Sequence, residues 1–315
     1  MIQVDFEKAA GFLRDRNRFV LLCHVFPDGD TIGSAAALCE GLRQLGKQAC
    51  IRCPHDIPGK FAHLATQFLS CDFPEETVIA VDVADRRLLG QLDEAYGERV
   101  DLCIDHHPSN TGYADRLCLN SRAAANCENM YHLLNTLEVQ ITPTMAAALF
   151  VGLSTDTGCF RYANTTPDTH RIAAALIEAG APAGELNRNL FEIKTRARIE
   201  LERRVLDGMR FYFGGQCAVV TITKQMQADS GCDDGDMDGI SSLARTVEGV
   251  LVGATIRECS GGRYKISLRT VEPIDASAIC KALGGGGHIR AAGCELDGPI
   301  ETVTEQLLSA IEGAF

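Results

Sequence analysis

Short apolar runs alternate with amphipathic stretches through the first half of the chain. Phe19–Cys23, Gln48–Cys53, Val78–Asp82 and Asp101–Asp105 have strand length and are dense in aliphatic residues and Cys. Thr31–Leu45, Asn126–Leu137, Thr144–Leu153 and Asp168–Ala179 instead repeat apolar residues at helical spacing. Gly46 and Gly180 stand just past two of these stretches, and Pro143 stands at the first turn of a third. Strands alternating with helices predict an α/β fold, a mostly parallel sheet with helices on both faces.

The pattern changes after about Ala183. Glu185–Met209 is charged and helical and reads as a connector. Beyond it, Phe211–Phe213 with Cys217–Ile222, and Gly249–Arg257 with Arg263–Arg269, read as hairpins around Gly-containing turns. A helix from Asp275, the glycine run Gly284–Gly287, a strand near Ala292–Leu296 and a last helix complete a smaller α+β domain. The predicted division is residues 1–185, a connector helix over 186–209, and residues 210–315. Leu206, Met209, Phe211 and Phe213 read as core, and His55, His63, His132 and His170 as surface or structural residues.

Composition narrows the choice. A chain of 315 residues with 46% hydrophobic and 23% charged residues is an ordinary globular one of two-domain length. Its net charge of −12 and lack of a basic run argue against a long duplex partner and favour a small or single-stranded one. The chain is too long for its 14 Cys to define a stapled scaffold. Cys23, Cys39, Cys103 and Cys280 lie in apolar runs as small buried hydrophobes. Cys50-x-x-Cys53 lacks a second pair and reads as strand positions. The first residues do not resemble a signal peptide, and no run approaches the ~18 apolar residues of a membrane span. A reducing cytoplasm is the expected location.

The chemistry lies where the apolar runs stop. His24-Val25-Phe26-Pro27-Asp28-Gly29-Asp30 follows the first, Asp82 ends another, and Asp105-His106-His107 ends a third. Asp156 closes a fourth apolar stretch. Each has a bland reading alone: Pro-Asp-Gly is a turn signal, Asp30-Thr31 suits a helix cap, and strand-end Asp residues cap helices. One dinuclear site explains all four together, because open parallel sheets gather their sites at the carboxyl ends of strands. Carboxylates with imidazoles suit Mn²⁺ or Mg²⁺. Gly29 lets both neighbouring carboxylates aim inward. Gly284–Gly287 reads either as a flexible loop or as a phosphate-binding nest with His288 beside it.

In these motifs the chain resembles the DHH-family phosphoesterases, named after Asp-His-His. The matching residues are His24-x-x-x-Asp28-Gly29-Asp30, Asp82, Asp105-His106-His107 and Thr155-Asp156-Thr157-Gly158-x-Phe160-Arg161-Tyr162. Gly284-Gly285-Gly286-Gly287-His288-x-x-Ala291-Ala292-Gly293, with Arg269, is similar to the DHH-associated domain of oligoribonuclease-like members. The resemblance implies two Mn²⁺ ions, with Mg²⁺ as the other candidate. It assigns His24, Asp28 and Asp82 to one ion, and Asp30, Asp82, His106 and Asp156 to the other, with Asp82 bridging. It implies catalytic roles for Asp105 and His107, and substrate contacts from Arg161, Arg269, Gly285, Gly286, Gly287 and His288 in a cleft between the domains. Ser121–Glu128 departs from the Ser/Thr-rich helix start of many relatives. The implied substrates are short oligoribonucleotides and small nucleotides such as 3′-phosphoadenosine 5′-phosphate or pApA, and a homodimer is implied. Cyclic di-AMP is the alternative substrate. An inorganic pyrophosphatase ranks below it for want of the expected basic C-terminal domain, and a non-catalytic nucleotide-binding protein ranks below because the ligand set is complete.

Overall fold

The structure is a computed structural model that describes residues 1–233, 237 and 239–315. It contains two compact units, Met1–Ile193 and Lys194–Phe315.

In the first unit the chain runs β1 (Ile2–Gln3), α1 (Phe6–Arg14), β2 (Arg18–Leu22), α2 (Gly29–Gln44), β3 (Gln48–Arg52), α3 (Gly59–Ala65) and β4 (Thr77–Val81). It continues through α4 (Asp93–Tyr96), β5 (Leu102–Asp105), β6 (Arg116–Leu119), α5 (Asn126–Thr136), α6 (Pro143–Asp156), α7 (Pro167–Glu178) and α8 (Ala183–Asn187). The six strands form one sheet in the order β1-β6-β5-β4-β2-β3, and every pairing is parallel. Two apolar clusters cover its faces. One includes Leu21, Ile79 and Ile104 with α2, α5 and α6; the other includes Val20, Val78 and Cys103 with Leu89 of the 3₁₀ segment Arg86–Leu92. The predicted α/β class is the observed one. The order in which strands are added reverses between β2 and β4, the switch point at whose carboxyl ends such sheets bind ligands.

The helices α2 and α6 pack unusually closely. A Cβ on Gly33 would come within 2.3 Å of Ala148 O, one on Gly29 within 2.6 Å of Thr155 Oγ1, and one on Gly152 within 2.7 Å of Asp30 Oδ1. Gly29 is therefore needed for close helix approach more than for a turn, and Asp28 rather than Asp30 caps α2.

Cys50 is not a free strand thiol: it is joined to Cys71 in a disulfide, with Cα atoms 5.5 Å apart. Both residues lie with the Val20–Val78 cluster, where β3 meets the segment leading to β4. The single connector helix expected over 186–209 is also corrected. The chain passes from α8 through a wider π turn, Arg188–Glu192, becomes extended at Ile193, and starts again as α9 (Arg196–Asp207) where the Thr195 hydroxyl accepts from Arg198 N.

The second unit adds β7 (Arg210–Tyr212), β8 (Cys217–Ile222), α10 (Lys224–Ser230), β9 (Val252–Glu258), β10 (Arg263–Thr270), α11 (Ala276–Ala282), β11 (Gly286–His288), β12 (Ala291–Asp297) and α12 (Ile300–Glu312). Its mixed sheet has the order β11-β12-β10-β9-β8-β7. Both predicted hairpins form antiparallel pairs, β7 with β8 and β9 with β10. Leu206 and Phe211 are not core; they are 49% and 52% exposed, and α9 buries Leu201 and Val205 in place of Leu206. Among the described residues no helix is long and apolar enough to cross a membrane.

Candidate metal centre

Each functional side chain of the first unit leaves an element end. His24 follows β2, Asp82 follows β4, Asp105 ends β5, and His106 and His107 come next. Asp28 caps the N-terminus of α2, Asp30 stands in its first turn, and Asp156 is the last residue of α6. The site therefore occupies the crevice between β2 and β4.

The six side chains converge. His24 Nε2 lies 3.6 Å from both Asp28 Oδ1 and Asp82 Oδ2. His106 Nε2 lies 3.5 Å from Asp82 Oδ1, 3.5 Å from Asp156 Oδ2 and 3.8 Å from Asp30 Oδ2. One ligand set is thus His24, Asp28 and Asp82, and another is Asp30, His106 and Asp156, with ligand atoms within 4.8 Å of one another in each. Asp82 faces both sets, one oxygen toward His24 and the other toward His106.

The donors suit a divalent cation. Asp82 Oδ1 and His106 Nε2 are buried and lack a hydrogen-bond partner, although buried polar atoms rarely go without one. Burial pushes the Asp82 carboxyl up to about 7, with Asp30 adding repulsion. Burial also drives Asp156 well above the ordinary carboxylate range, again with Asp30 and Asp82 adding to it. Asp156 further stands at a helix C-terminus, where the peptide dipole disfavours a negative charge. Burial opposes charge on His24, but Asp28 and Asp82 outweigh it and push the imidazole up to about 11. Asp82 is held at φ +61°, a left-handed conformation that costs about 1–3 kcal/mol for a residue other than glycine. Crowded, strained carboxylates around unpartnered donors are what a cation would relieve.

Asp105 lies outside the ligand sets. It is fully buried; Oδ1 accepts from His107 Nδ1 at 2.8 Å and from His106 N at 2.8 Å, and Oδ2 accepts from Asn110 Nδ2 at 2.7 Å. Burial would raise its pKa, but these donors hold it below the usual range. Burial likewise opposes charge on His107, yet Asp105 and Asp82 push it up to about 9. The His107 ring meets His106 edge-on at 4.4 Å between centroids.

Two groups escaped the sequence reading. Asn126 N and Cys127 N donate to Asp30 Oδ2 and Oδ1 at 2.5 and 2.8 Å, so a carboxylate 96 residues earlier in the chain closes the start of α5. The signal was negative: Ala125 occupies the N-cap and has no side chain able to do it. Asn129 Nδ2 donates to Asp105 O at 3.1 Å and steadies the end of β5.

Arg161 stands apart from the cluster; its Nε donates to Gly158 O at 2.6 Å and its guanidinium carbon lies 5.9 Å from the Phe191 ring centroid. In the second unit, much of the expected glycine nest is strand. Gly286, Gly287 and His288 pair with Gly293, Ala292 and Ala291. A Cβ on Gly285 would come within 2.2 Å of Gly293 O, and Gly287, at φ +143°, leaves no room against Ala292. Ala291 is the register partner of both Arg269 and His288, which aligns these two in one row across three strands.

Residues 18–153 match the DHH family, N-terminal domain, and residues 214–315 match the DHHA1 domain. The chain is 33% identical over 296 residues to the bifunctional oligoribonuclease and PAP phosphatase NrnA of Thermus thermophilus, across 91% of this chain and 87% of that one. The chain belongs to the DHH family. As a DHH-family member it is a phosphoesterase, a hydrolase of phosphoric esters. Its fold is similar to that of an exopolyphosphatase-related protein from Bacteroides fragilis, with TM-score 0.91, 22% identity, and coverage of 98% of this chain and 96% of that one. Exonuclease RecJ bound to manganese shares the DHH fold at TM-score 0.55 and 17% identity, over 99% of this chain and 94% of that one.

Proposed function

We propose that the carboxylate–imidazole cluster holds two Mn²⁺ ions, with Mg²⁺ as the competing candidate, and that the protein hydrolyses short oligoribonucleotides and small nucleotides such as 3′-phosphoadenosine 5′-phosphate or pApA. The observation that carries this is the Asp82–His106 pair, two buried ligand atoms 3.5 Å apart with no hydrogen-bond partner, set between two sets of hard donors. The substrates follow the name of the Thermus thermophilus relative and the acidic balance of this chain.

In this reading His24, Asp28 and Asp82 hold one ion, and Asp30, Asp82, His106 and Asp156 hold the other. Divalent cations in such a site act as Lewis acids on a phosphoryl oxygen and make water nucleophilic near neutral pH. The chain's own groups orient and donate. Asp105 accepts from His107 Nδ1 and so orients the ring, whose Nε2, when protonated, would donate to a phosphate oxygen as negative charge builds. Arg161 in the first unit, and Arg269, Gly285, Gly286, Gly287 and His288 in the second, are the proposed substrate contacts. A homodimer in the cytoplasm completes the proposal.

The test is turnover of a diribonucleotide and of 3′-phosphoadenosine 5′-phosphate with Mn²⁺, beside Asp82→Ala. Wild type is expected to release product and bind two Mn²⁺ per chain, and the variant to do neither. Normal turnover and metal content in Asp82→Ala would overturn the assignment.

A further inference from the structure

The loop that carries His24 and Asp28 also carries an aromatic ring that the cluster does not use. Phe26 is 78% exposed, more than any other large apolar side chain among the described residues. Its backbone stands at φ +53°, a region bulky side chains avoid. Two contacts hold it there. Phe26 N donates to His55 Nδ1 at 3.2 Å, and the two rings meet edge-on with centroids 4.5 Å apart. One exposed ring alone is ordinary, but backbone strain that fixes it in place is of the kind found at ligand clamps.

Next to His55 the first unit has an open cavity of about 390 Å³ lined by Cys53, Pro54, His55, Asp56 and Gln91. It is braced against the loop bearing the metal ligands. Val25 N donates to Leu88 O at 2.7 Å, and a Cβ on Gly90 would come within 2.6 Å of Val25 Cγ1. Gln91 Nε2 donates to Pro54 O at 2.5 Å.

The polar lining has a defined sense. A backbone N–H only donates, so His55 Nδ1 is the acceptor and the neutral ring carries its proton on Nε2. Gln91 has committed amide hydrogen to Pro54 and keeps its carbonyl oxygen as an acceptor, and Asp56 supplies carboxylate acceptors. A donor beside two acceptors, next to an exposed aromatic face, complements a base edge on which an exocyclic amine adjoins a ring nitrogen. Adenine and cytosine have that edge.

We propose that Phe26 and the cavity lined by His55, Asp56 and Gln91 form a nucleobase site of the first unit, taking an amine-bearing base of the nucleotide whose phosphate lies at the carboxylate–imidazole cluster. Phe26 stacks on the base, His55 Nε2 donates to the ring nitrogen, and Asp56 with Gln91 accepts from the amine. This deepens the phosphoesterase reading and rests on it for the position of the phosphate.

The experiment uses adenosine, which has no phosphate to hydrolyse, in calorimetric titrations of the Mn²⁺-loaded protein, with uridine and ribose as comparisons. Adenosine is expected to bind more tightly than uridine, and ribose not to bind. Phe26→Ala, which removes the stack, and Asp56→Ala, which removes an acceptor for the amine, are each expected to weaken adenosine roughly 5- to 100-fold. Equal affinity in wild type and both variants, or adenosine binding no better than ribose, overturns the site. Metal content is measured alongside; if Phe26→Ala loses Mn²⁺, Asp56→Ala decides, because it lies outside the ligand loop. Adenosine binding as expected without any phosphoester hydrolysis would sink the function proposed above and leave the base site standing. Hydrolysis with an unaltered adenosine affinity would do the reverse.

Discussion

His107 Nδ1 lies 2.8 Å from Asp105 Oδ1, and the same carboxylate oxygen receives the backbone amide of His106. Asp105 therefore orients the His107 imidazole and ties down the backbone of His106 without joining the ligand sets. Asp105→Asn keeps the shape and removes the charge that fixes the His107 proton. Activity is expected to fall about 10- to 100-fold, the usual cost of losing a residue that orients a metal-site histidine. Mn²⁺ titrations and steady-state rates on a diribonucleotide check this. Full activity in the variant would show that His107 needs no such support.

Asp82 is strained and crowded when no cation is present. Its carboxyl is raised from 3.8 to about 7, which at 1.36 kcal/mol per pKa unit bounds the penalty of ionising it at about 4 kcal/mol. Asp82→Asn removes that penalty and keeps a side chain tolerated in left-handed backbone. The metal-free variant is expected to be more stable than metal-free wild type at pH 8, and to lose the further stabilisation that Mn²⁺ gives wild type. Thermal melts with and without chelator measure both. A variant that melts lower without metal would contradict the crowding argument.

Glu128 offers a pH test away from the ligands. Burial raises its pKa in the folded protein, although the Thr169 hydroxyl donating to it at 2.5 Å opposes this. A raised folded pKa gives stability that is complete below the unfolded value and lost as pH rises through the folded one. Glu128→Gln keeps an acceptor for Thr169 and cannot ionise. The expected result is a gain in stability for the variant at pH 8 that shrinks toward pH 4, read from urea midpoints at both. A gain independent of pH would place its origin elsewhere.

The seam between α2 and α6 leaves no room for a methyl group. Gly33→Ala sets a Cβ within 2.3 Å of the Ala148 carbonyl, a backbone atom that cannot swing aside. Destabilisation of about 1–3 kcal/mol is expected, as for other overpacked cores, with weaker Mn²⁺ binding because α2 carries Asp30. Gly11→Ala, with nothing within 4 Å of its new Cβ, is the control and should not destabilise. Equal stability of the two variants would remove the close-approach argument.

Strand ends were the legible part of the fold. β2, β4 and β5 are apolar runs that stop abruptly at His24, Asp82 and Asp105, so period and chemistry pointed the same way. β1 is too short at two residues to show a period, and β6 opens on Arg116 and ends in no His or Asp that would mark it. The break in the connector is hidden because Ile193–Thr195 interrupts a charged stretch without Gly or Pro; it follows from Thr195 capping a new helix. The pairing of Cys50 with Cys71 has no local spacing rule behind it, since it depends on where β3 falls against a loop. The role of Asp30 at α5 was equally hidden, because no pattern in residues 28–31 speaks of residues 126 and 127.

That last contact limits how the site can be transplanted. A designer who copied only the converging His and Asp side chains onto another α/β scaffold would leave Asp30 without the two amides that aim it, and α5 with an alanine at its unsealed end. The smallest portable piece is the side chains together with the opening turn of that helix, so reactivity and architecture must be moved as one object.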